Sequence, residues 1–207
     1  MGDFMNKIQG IEILANTKYL SLYDLKYKNK NGKDSNWTVA SRKSINDLND
    51  IYLNNKNDKV DAVVLVPYHI KEKKLVMIKQ FRVPINNYVY ELPAGLIDNN
   101  EDIENAVKRE LKEETGLDVL EIIKSKEKLY LSPGMSDESV SLVYCLCQGN
   151  TSKDYLEEEE DIETVLLDKE EAKKILQSNV ALDIKAYIIL NMFINSGENL
   201  FGKEIFK

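Results

Sequence analysis

Along the chain, stretches with apolar residues at every second position give way to stretches with a three-to-four-residue period, and these two periods predict its elements. Residues 19–27 alternate and are rich in aromatics, which predicts a strand. A polar turn over 29–35 and a second strand over 37–42 complete a hairpin. Residues 60–67 form a nearly continuous apolar run, the pattern of a strand buried on both faces. Two further strands are expected at 75–81 and 88–92. A helix follows over 101–115, capped by Asn99 or Asn100, with acids in its first turn and Gly116 after its end. Strands at 122–131 and 140–148, an acidic loop at 154–161 and a short strand at 164–167 come next. Helices at 169–177 and 182–195 and a tail over 196–207 close the chain. The polar, asparagine-rich segment 44–58 shows no assignable period. The pattern predicts an α/β (α+β) domain over 58–207, preceded by a β-rich subdomain over 1–57 built on the hairpin.

A length of 207 residues suits one domain with an appendage and suffices to bury a core. No apolar run approaches the ~18 residues of a membrane span. Residues 1–10 lack the apolar centre of a signal peptide, and Asn6 stands where a Met-Gly myristoylation signal needs Ser or Thr. A cytoplasmic location is the expectation. The net charge of −7, with no basic cluster beyond 71–74, argues against a nucleic-acid partner. Cys145 and Cys147 alternate within a predicted strand and are expected to pack as small apolar residues. Two thiols and a remote His69 cannot complete a zinc shell, and a single histidine speaks against Ser-His-Asp or Cys-His catalysis.

The helix over 101–115 carries the chemistry. On a helical wheel Ile103, Ala106, Val107 and Leu111 form an apolar stripe, with Glu104, Asn105, Lys108, Arg109 and Lys112 on the other side. Glu110 and Glu114 fall inside the stripe and Glu113 borders it. Two like charges four residues apart repel, and a buried carboxylate without a partner is costly. A hard divalent cation would relieve both problems, because it takes carboxylate oxygens and keeps room for water and phosphate. The other reading turns these acids to solvent, and the helix alone leaves both open.

The stretch from Gly95 to Leu117 places Gly95, Glu101, Arg109-Glu110-Leu111, Glu113-Glu114 and Gly116-Leu117 at the spacing G-x5-E-x7-R-E-U-x-E-E-x-G-U, where U is bulky and apolar. In this the chain resembles the Nudix hydrolases. The resemblance implies a mixed sheet packed between helices, with the box forming loop, helix and loop, and hydrolysis of a nucleoside diphosphate linked to another group. Residues 79–84, 91–95 and 132–138 are similar to the ADP-ribose pyrophosphatase subgroup, which implies ADP-ribose as substrate and AMP and ribose 5-phosphate as products. It implies Mg2+, with Mn2+ as substitute, held by Glu110, Glu113, Glu114 and the Ala94 carbonyl. Arg109, paired with Glu101, would orient these acids. A proton acceptor would come from Glu158, with Glu159 and Glu160 one or two positions away, or from Glu138.

Substrate contacts implied by the same resemblance are Arg82, Trp37, Arg42, Tyr19, Met135 and Glu138. Arg82 is either a phosphate contact or the ion-pair partner of Glu91 or a helix acid. Trp37 either stacks on adenine, with Arg42 nearby, or packs on the core, and Tyr19 in a strand either joins it or simply packs. Alternatives to ADP-ribose are a nucleotide sugar, a flavin or dinucleotide cofactor, or an oxidised nucleotide. A non-catalytic ADP-ribose-sensing module typically loses box glutamates, whereas this chain keeps them all. The subgroup also implies a homodimer in which the N-terminal hairpin reaches the partner's site.

Overall fold

The computed structural model describes residues 7–202. The expectations for residues 1–6 and for the end of the tail, 203–207, lie outside the described residues. The chain divides into two compact units, Met1–Asp61 with Lys128–Val140, and Ala62–Glu127 with Ser141–Lys207.

The first unit holds an antiparallel three-stranded sheet of β1 (Ile8–Asn16), β2 (Ser21–Lys28) and β3 (Asp34–Ser41), with β2 in the middle. The predicted hairpin is thus extended by β1. The alternation of β1 is broken by register shifts between Ile8 and Gly10 and between Ile13 and Ala15, which hides its period. Tyr23 and Leu25 of β2 and Val39 of β3 are buried together with Leu48 of helix α1 (Ile45–Tyr52). That helix occupies the segment without a readable period. Leu48 is its one fully buried residue, so its apolar stripe is short. Its start is nonetheless a capping box, in which Ser44 accepts from the Asp47 N–H and Asp47 accepts from the Ser44 N–H.

The return segment Lys128–Val140 joins this unit through charge. The half-buried Lys43 ammonium lies among Asp61 (2.6 Å), Asp137 (3.3 Å) and Asp58 (3.5 Å), and Lys128 also pairs with Asp58. Asp61 accepts from the N–H and hydroxyl of Ser139.

The second unit is built on β4 (Ala62–His69), β5 (Lys74–Arg82), β6 (Asn87–Glu91), β7 (Ala94–Leu96), β10 (Ile162–Leu167) and β11 (Ala181–Leu182). With β8 (Asp118–Tyr130) and β9 (Ser139–Gln148) they form a mixed sheet of order β11-β6-β5-β4-β9-β8, with β10 on β5 and β7 on β4. The β11–β6 pair is parallel, whereas β5 pairs antiparallel with both β6 and β10.

Side-chain alternation assigns the two faces. Val63, Leu65, Val76, Val143 and Cys147 pack against Ala106, Val107 and Leu111 of helix α2 (Ile103–Thr115). Tyr68 and Tyr144, of opposite parity, meet Phe193 and Phe201 on the other face, with ring centroids 5.0–6.3 Å apart. Phe193 lies on α4 (Ile184–Ser196), which packs against α3 (Lys169–Gln177). The expected sheet between helices is therefore present.

Four further details differ from the sequence reading. The cap of α2 is Asp102, whose carboxylate accepts from the Asn105 N–H, and not Asn99 or Asn100. Tyr19 precedes β2 instead of lying within it. The short strands β7 and β11 were too brief to show a period. The described part of the tail is a 3-10 turn, Gly197–Phe201, anchored by buried Leu200 and Phe201. His69 is buried, with Nδ1 accepting from the Glu72 N–H and Nε2 bonded to the Gly149 carbonyl, and Cys145 and Cys147 are buried in β9. Among the described residues no helix is long and apolar enough to cross a membrane.

Candidate active site

Strand β7 lies beside β4, with Gly95 opposite Val63 and Ala94 opposite Val64, and this register presents the 94–96 backbone to α2. Helix α2 ends at Gly116, which adopts φ 77°. A side chain there would be strained, and its Cβ would come within 2.5 Å of the Ser152 nitrogen, so the helix end and the following acidic loop meet backbone to backbone. The Ser152 N–H donates to the Thr115 carbonyl at 3.0 Å.

The apolar stripe of α2 turns inward as its pattern predicts, and it carries Glu110 and Glu114 with it, 8% and 4% exposed. The Glu114 carboxylate accepts from the Ala94 N–H at 2.9 Å. Burial pushes its proton affinity well above the ordinary carboxylate range, and Glu110 and Glu160 add to the effect. Burial likewise lifts Glu110 to about 7, against the pull of Arg109. Glu113 borders the stripe, half-exposed.

Arg109 organises the acids. Its guanidinium binds Glu101 through two bonds (3.0 and 2.8 Å), Glu110 at 2.7 Å, Glu113 at 3.0 Å and the Leu96 carbonyl at 2.9 Å. Glu101 also accepts from the Asp98 N–H and is held below the usual carboxylate range, chiefly by Arg109. The planar fork of Arg109 thus ties the loop before the helix to the acids on it.

Gly95 sets the spacing. A Cβ on this residue would overlap the Glu110 carboxylate, which is buried and held by Arg109. Gly95→Ala is expected to leave the fold intact and to displace that carboxylate, lowering turnover by about 10²-fold. Parallel thermal unfolding and rate measurements on the variant check this.

These donors fit a hard divalent cation. They are carboxylate oxygens, one of them bonded to the Ala94 N–H, and two of the acids are buried at a cost that a cation would remove. Among the described residues no three acidic, histidine or cysteine side chains already converge as a ligand set, and Arg109 pairs with Glu110 and Glu113.

Arg82 forms a two-bond ion pair with Glu91, both contacts at 2.7 Å, and its proton affinity is raised first by Glu91 and also by the charge of Glu114. In the acidic loop, Glu158 and Glu159 are exposed, and it is Glu160 whose charge acts on both Glu110 and Glu114. The resemblance points to Glu158 first; within the loop the Glu160 carboxylate accepts from the Glu157 N–H at 3.0 Å.

The remaining candidates belong to the first unit. Trp37 is 52% exposed and donates to the Gly134 carbonyl at 3.3 Å, so it is not a core residue. Met135 and Tyr19 are exposed, and the Lys18 ammonium lies over the Tyr19 ring. Arg42 pairs with Glu138 at 3.2 Å. Sequence reasoning missed the Ala94 N–H as the partner of Glu114; only the β4–β7 register reveals it.

A family model described as the NUDIX domain matches residues 58–186. An ADP-ribose pyrophosphatase of Saccharomyces cerevisiae is 33% identical over 130 residues, 62% of this chain and 53% of that protein. One of Bacillus subtilis is 36% identical over 123 residues, 57% of this chain and 64% of that protein. The chain thus spans about half the length of the yeast relative and somewhat more of the bacterial one. A crystal structure of an ADP compounds hydrolase superposes with a TM-score of 0.68 at 16% identity, covering 98% of this chain and 99% of that one, which shows a shared fold. The acids that stand inward on α2 are those of the box within the matched segment, and the chain belongs to the Nudix family.

Proposed function

We propose that this chain is a divalent-cation-dependent hydrolase that splits the diphosphate of ADP-ribose, or of a related nucleotide sugar, to a nucleoside monophosphate and a sugar phosphate. The observation that carries this reading is the pair Glu110 and Glu114, buried four residues apart on one face of α2, with the Glu110 carboxylate lying where a side chain on Gly95 would stand. ADP-ribose is the named substrate of the yeast and Bacillus relatives, and it supports that choice within the class.

Glu110, Glu113, Glu114 and the Ala94 carbonyl would hold the cation, with Mg2+ as the expected ion and Mn2+ as its substitute. When bound, the cation supplies charge neutralisation to the diphosphate and acidifies water. The rest falls to the chain. Arg109 fixes the rotamers of Glu110 and Glu113 and ties them to Glu101. Arg82 pairs with Glu91 through Nε and Nη2 and responds to the charge of Glu114, so a phosphate contact would fall to its remaining Nη1. Glu160, or Glu158 before it, accepts the proton released by the attacking water. Trp37, Arg42, Tyr19, Met135 and Glu138 supply the contacts that read the nucleoside. A cytoplasmic homodimer remains part of the proposal.

A hydrolysis panel of ADP-ribose, other nucleotide sugars, dinucleotide cofactors and oxidised nucleotides, with Mg2+ and then Mn2+, tests this reading. AMP and ribose 5-phosphate in equal amounts from ADP-ribose are expected, at a kcat/KM at least about tenfold above dinucleotide cofactors. No turnover of any diphosphate-linked nucleotide with either ion would overturn it.

A further inference from the structure

The inward face of β5 carries one polar group that neither the box nor the proposed mechanism uses. Val76 packs against α2, so Ile78, Gln80 and Arg82 follow it on the same face. The Gln80 side-chain oxygen is buried, and among the described residues it has no hydrogen-bond partner. An amide oxygen left unpaired away from water costs about 1–3 kcal/mol. A leucine there would fill the space without that cost.

The register places Gln80 among residues that touch or respond to Glu114. Ile78 pairs with Thr164 of β10, and the Thr164 hydroxyl donates to the Glu114 carbonyl at 3.4 Å. The next inward position is Gln80, paired with Ile162, two residues after Glu160, whose charge acts on Glu110 and Glu114. The position beyond is Arg82, which responds to the charge of Glu114. Gln80 therefore stands between Ile78, whose strand partner Thr164 bonds the Glu114 backbone carbonyl, and Arg82, with an acceptor to which nothing among the described residues donates.

We propose that Gln80 is a positioning residue that closes the cation site from the sheet side, its side-chain oxygen accepting a hydrogen bond from the hydration shell of a divalent ion held by Glu110 and Glu114. The inference rests on the reading of those glutamates as cation ligands. It accounts for a polar residue at an inward strand position flanked by Ile78 and Val89. Hydrated hard cations keep several of their waters, and groups that hold those waters tune affinity by 10–100-fold.

The test is Mn2+ binding, followed by the electron paramagnetic resonance signal of the free ion, on the full chain and on Gln80→Leu, Gln80→Glu and Glu114→Gln. Gln80→Leu should bind Mn2+ about tenfold more weakly, while its Tm without metal stays level or rises. Gln80→Glu, which keeps an oxygen acceptor, should hold Mn2+ at least as tightly as the parent. Parent-like Mn2+ affinity in Gln80→Leu would overturn the proposal. So would a lower Tm without metal, since the amide would then already have a partner in the fold. A parent that binds no Mn2+, or binds it no better than Glu114→Gln does, would instead overturn the glutamate reading itself.

Discussion

Glu114→Gln is expected to abolish nearly all turnover, with kcat/KM falling on the order of 10³-fold, while the protein without metal unfolds at the same temperature or a higher one. The two halves of this result have one cause. Glu114 is 4% exposed, and burial holds its proton affinity far above that of a free carboxylate. Its charged form is therefore a burden on the fold when no cation is bound. Glutamine keeps the shape and the oxygen that accepts from the Ala94 N–H, and it removes the charge. What is lost is the anionic ligand. Steady-state kinetics with ADP-ribose, beside thermal unfolding with and without Mg2+, would show activity and metal stabilisation disappearing together while the fold persists. A wild-type rate in this variant would mean that Glu114 holds no catalytic ion.

Arg109→Met is expected to do the reverse to stability, because Arg109 serves the fold and the site at once. It neutralises Glu101, Glu110 and Glu113 and ties Leu96 to the helix. Removing one partner of a buried ion pair costs about 3–5 kcal/mol. Arg109's side chain is 28% exposed, so water recovers part of this, and a loss of about 2–3 kcal/mol is expected. For a chain of this size that lowers Tm by roughly 5–10 °C. Turnover should fall with it, since Glu110 and Glu113 lose the group that fixes their rotamers. Added Mg2+ should restore part of the lost Tm in Arg109→Met, because the ion neutralises two of the same acids, but none in Glu114→Gln. Thermal unfolding of both variants across a Mg2+ titration separates the two roles.

The inward acids of the candidate site were legible because helical periodicity and chemistry disagreed at particular residues, whereas the other candidates came from the family resemblance. Ala106, Val107 and Leu111 set the inward face of α2, and Glu110 and Glu114 share that face against every rule of burial. What remained illegible is set by contacts distant in sequence. The Ala94 N–H meets Glu114 only through the β4–β7 register, and Gly95's role emerges once the Glu110 carboxylate is seen lying against it. Spacing could not choose among Glu158, Glu159 and Glu160, because bonds within the loop, such as that from the Glu157 N–H to Glu160, leave no period to read. In the fold, α1 escaped because one buried leucine makes no period, though the Ser44-x-x-Asp47 box was there to be read. β1 escaped because bulges break its alternation. The segment Lys128–Val140 joins the N-terminal unit through Asp58, Asp61 and Asp137 around Lys43, a charge network that local pattern does not encode.

The buried acids also fix how stability responds to pH. Glu110 and Glu114 are raised in the fold, so their contribution is fully present below the ordinary carboxylate range and is lost as pH rises, for Glu110 through about 7. A bound cation needs the ionised forms, so its stabilising effect must grow over the same interval. The increment in Tm produced by Mg2+, followed from about pH 5.5 to about pH 8 in the parent and in Glu114→Gln, measures this directly. The expected result is an increment that is small at the acidic end, increases through about 7 in the parent, and is absent from Glu114→Gln throughout. An increment that stays flat with pH, or one that survives unchanged in Glu114→Gln, would contradict a cation held by these glutamates.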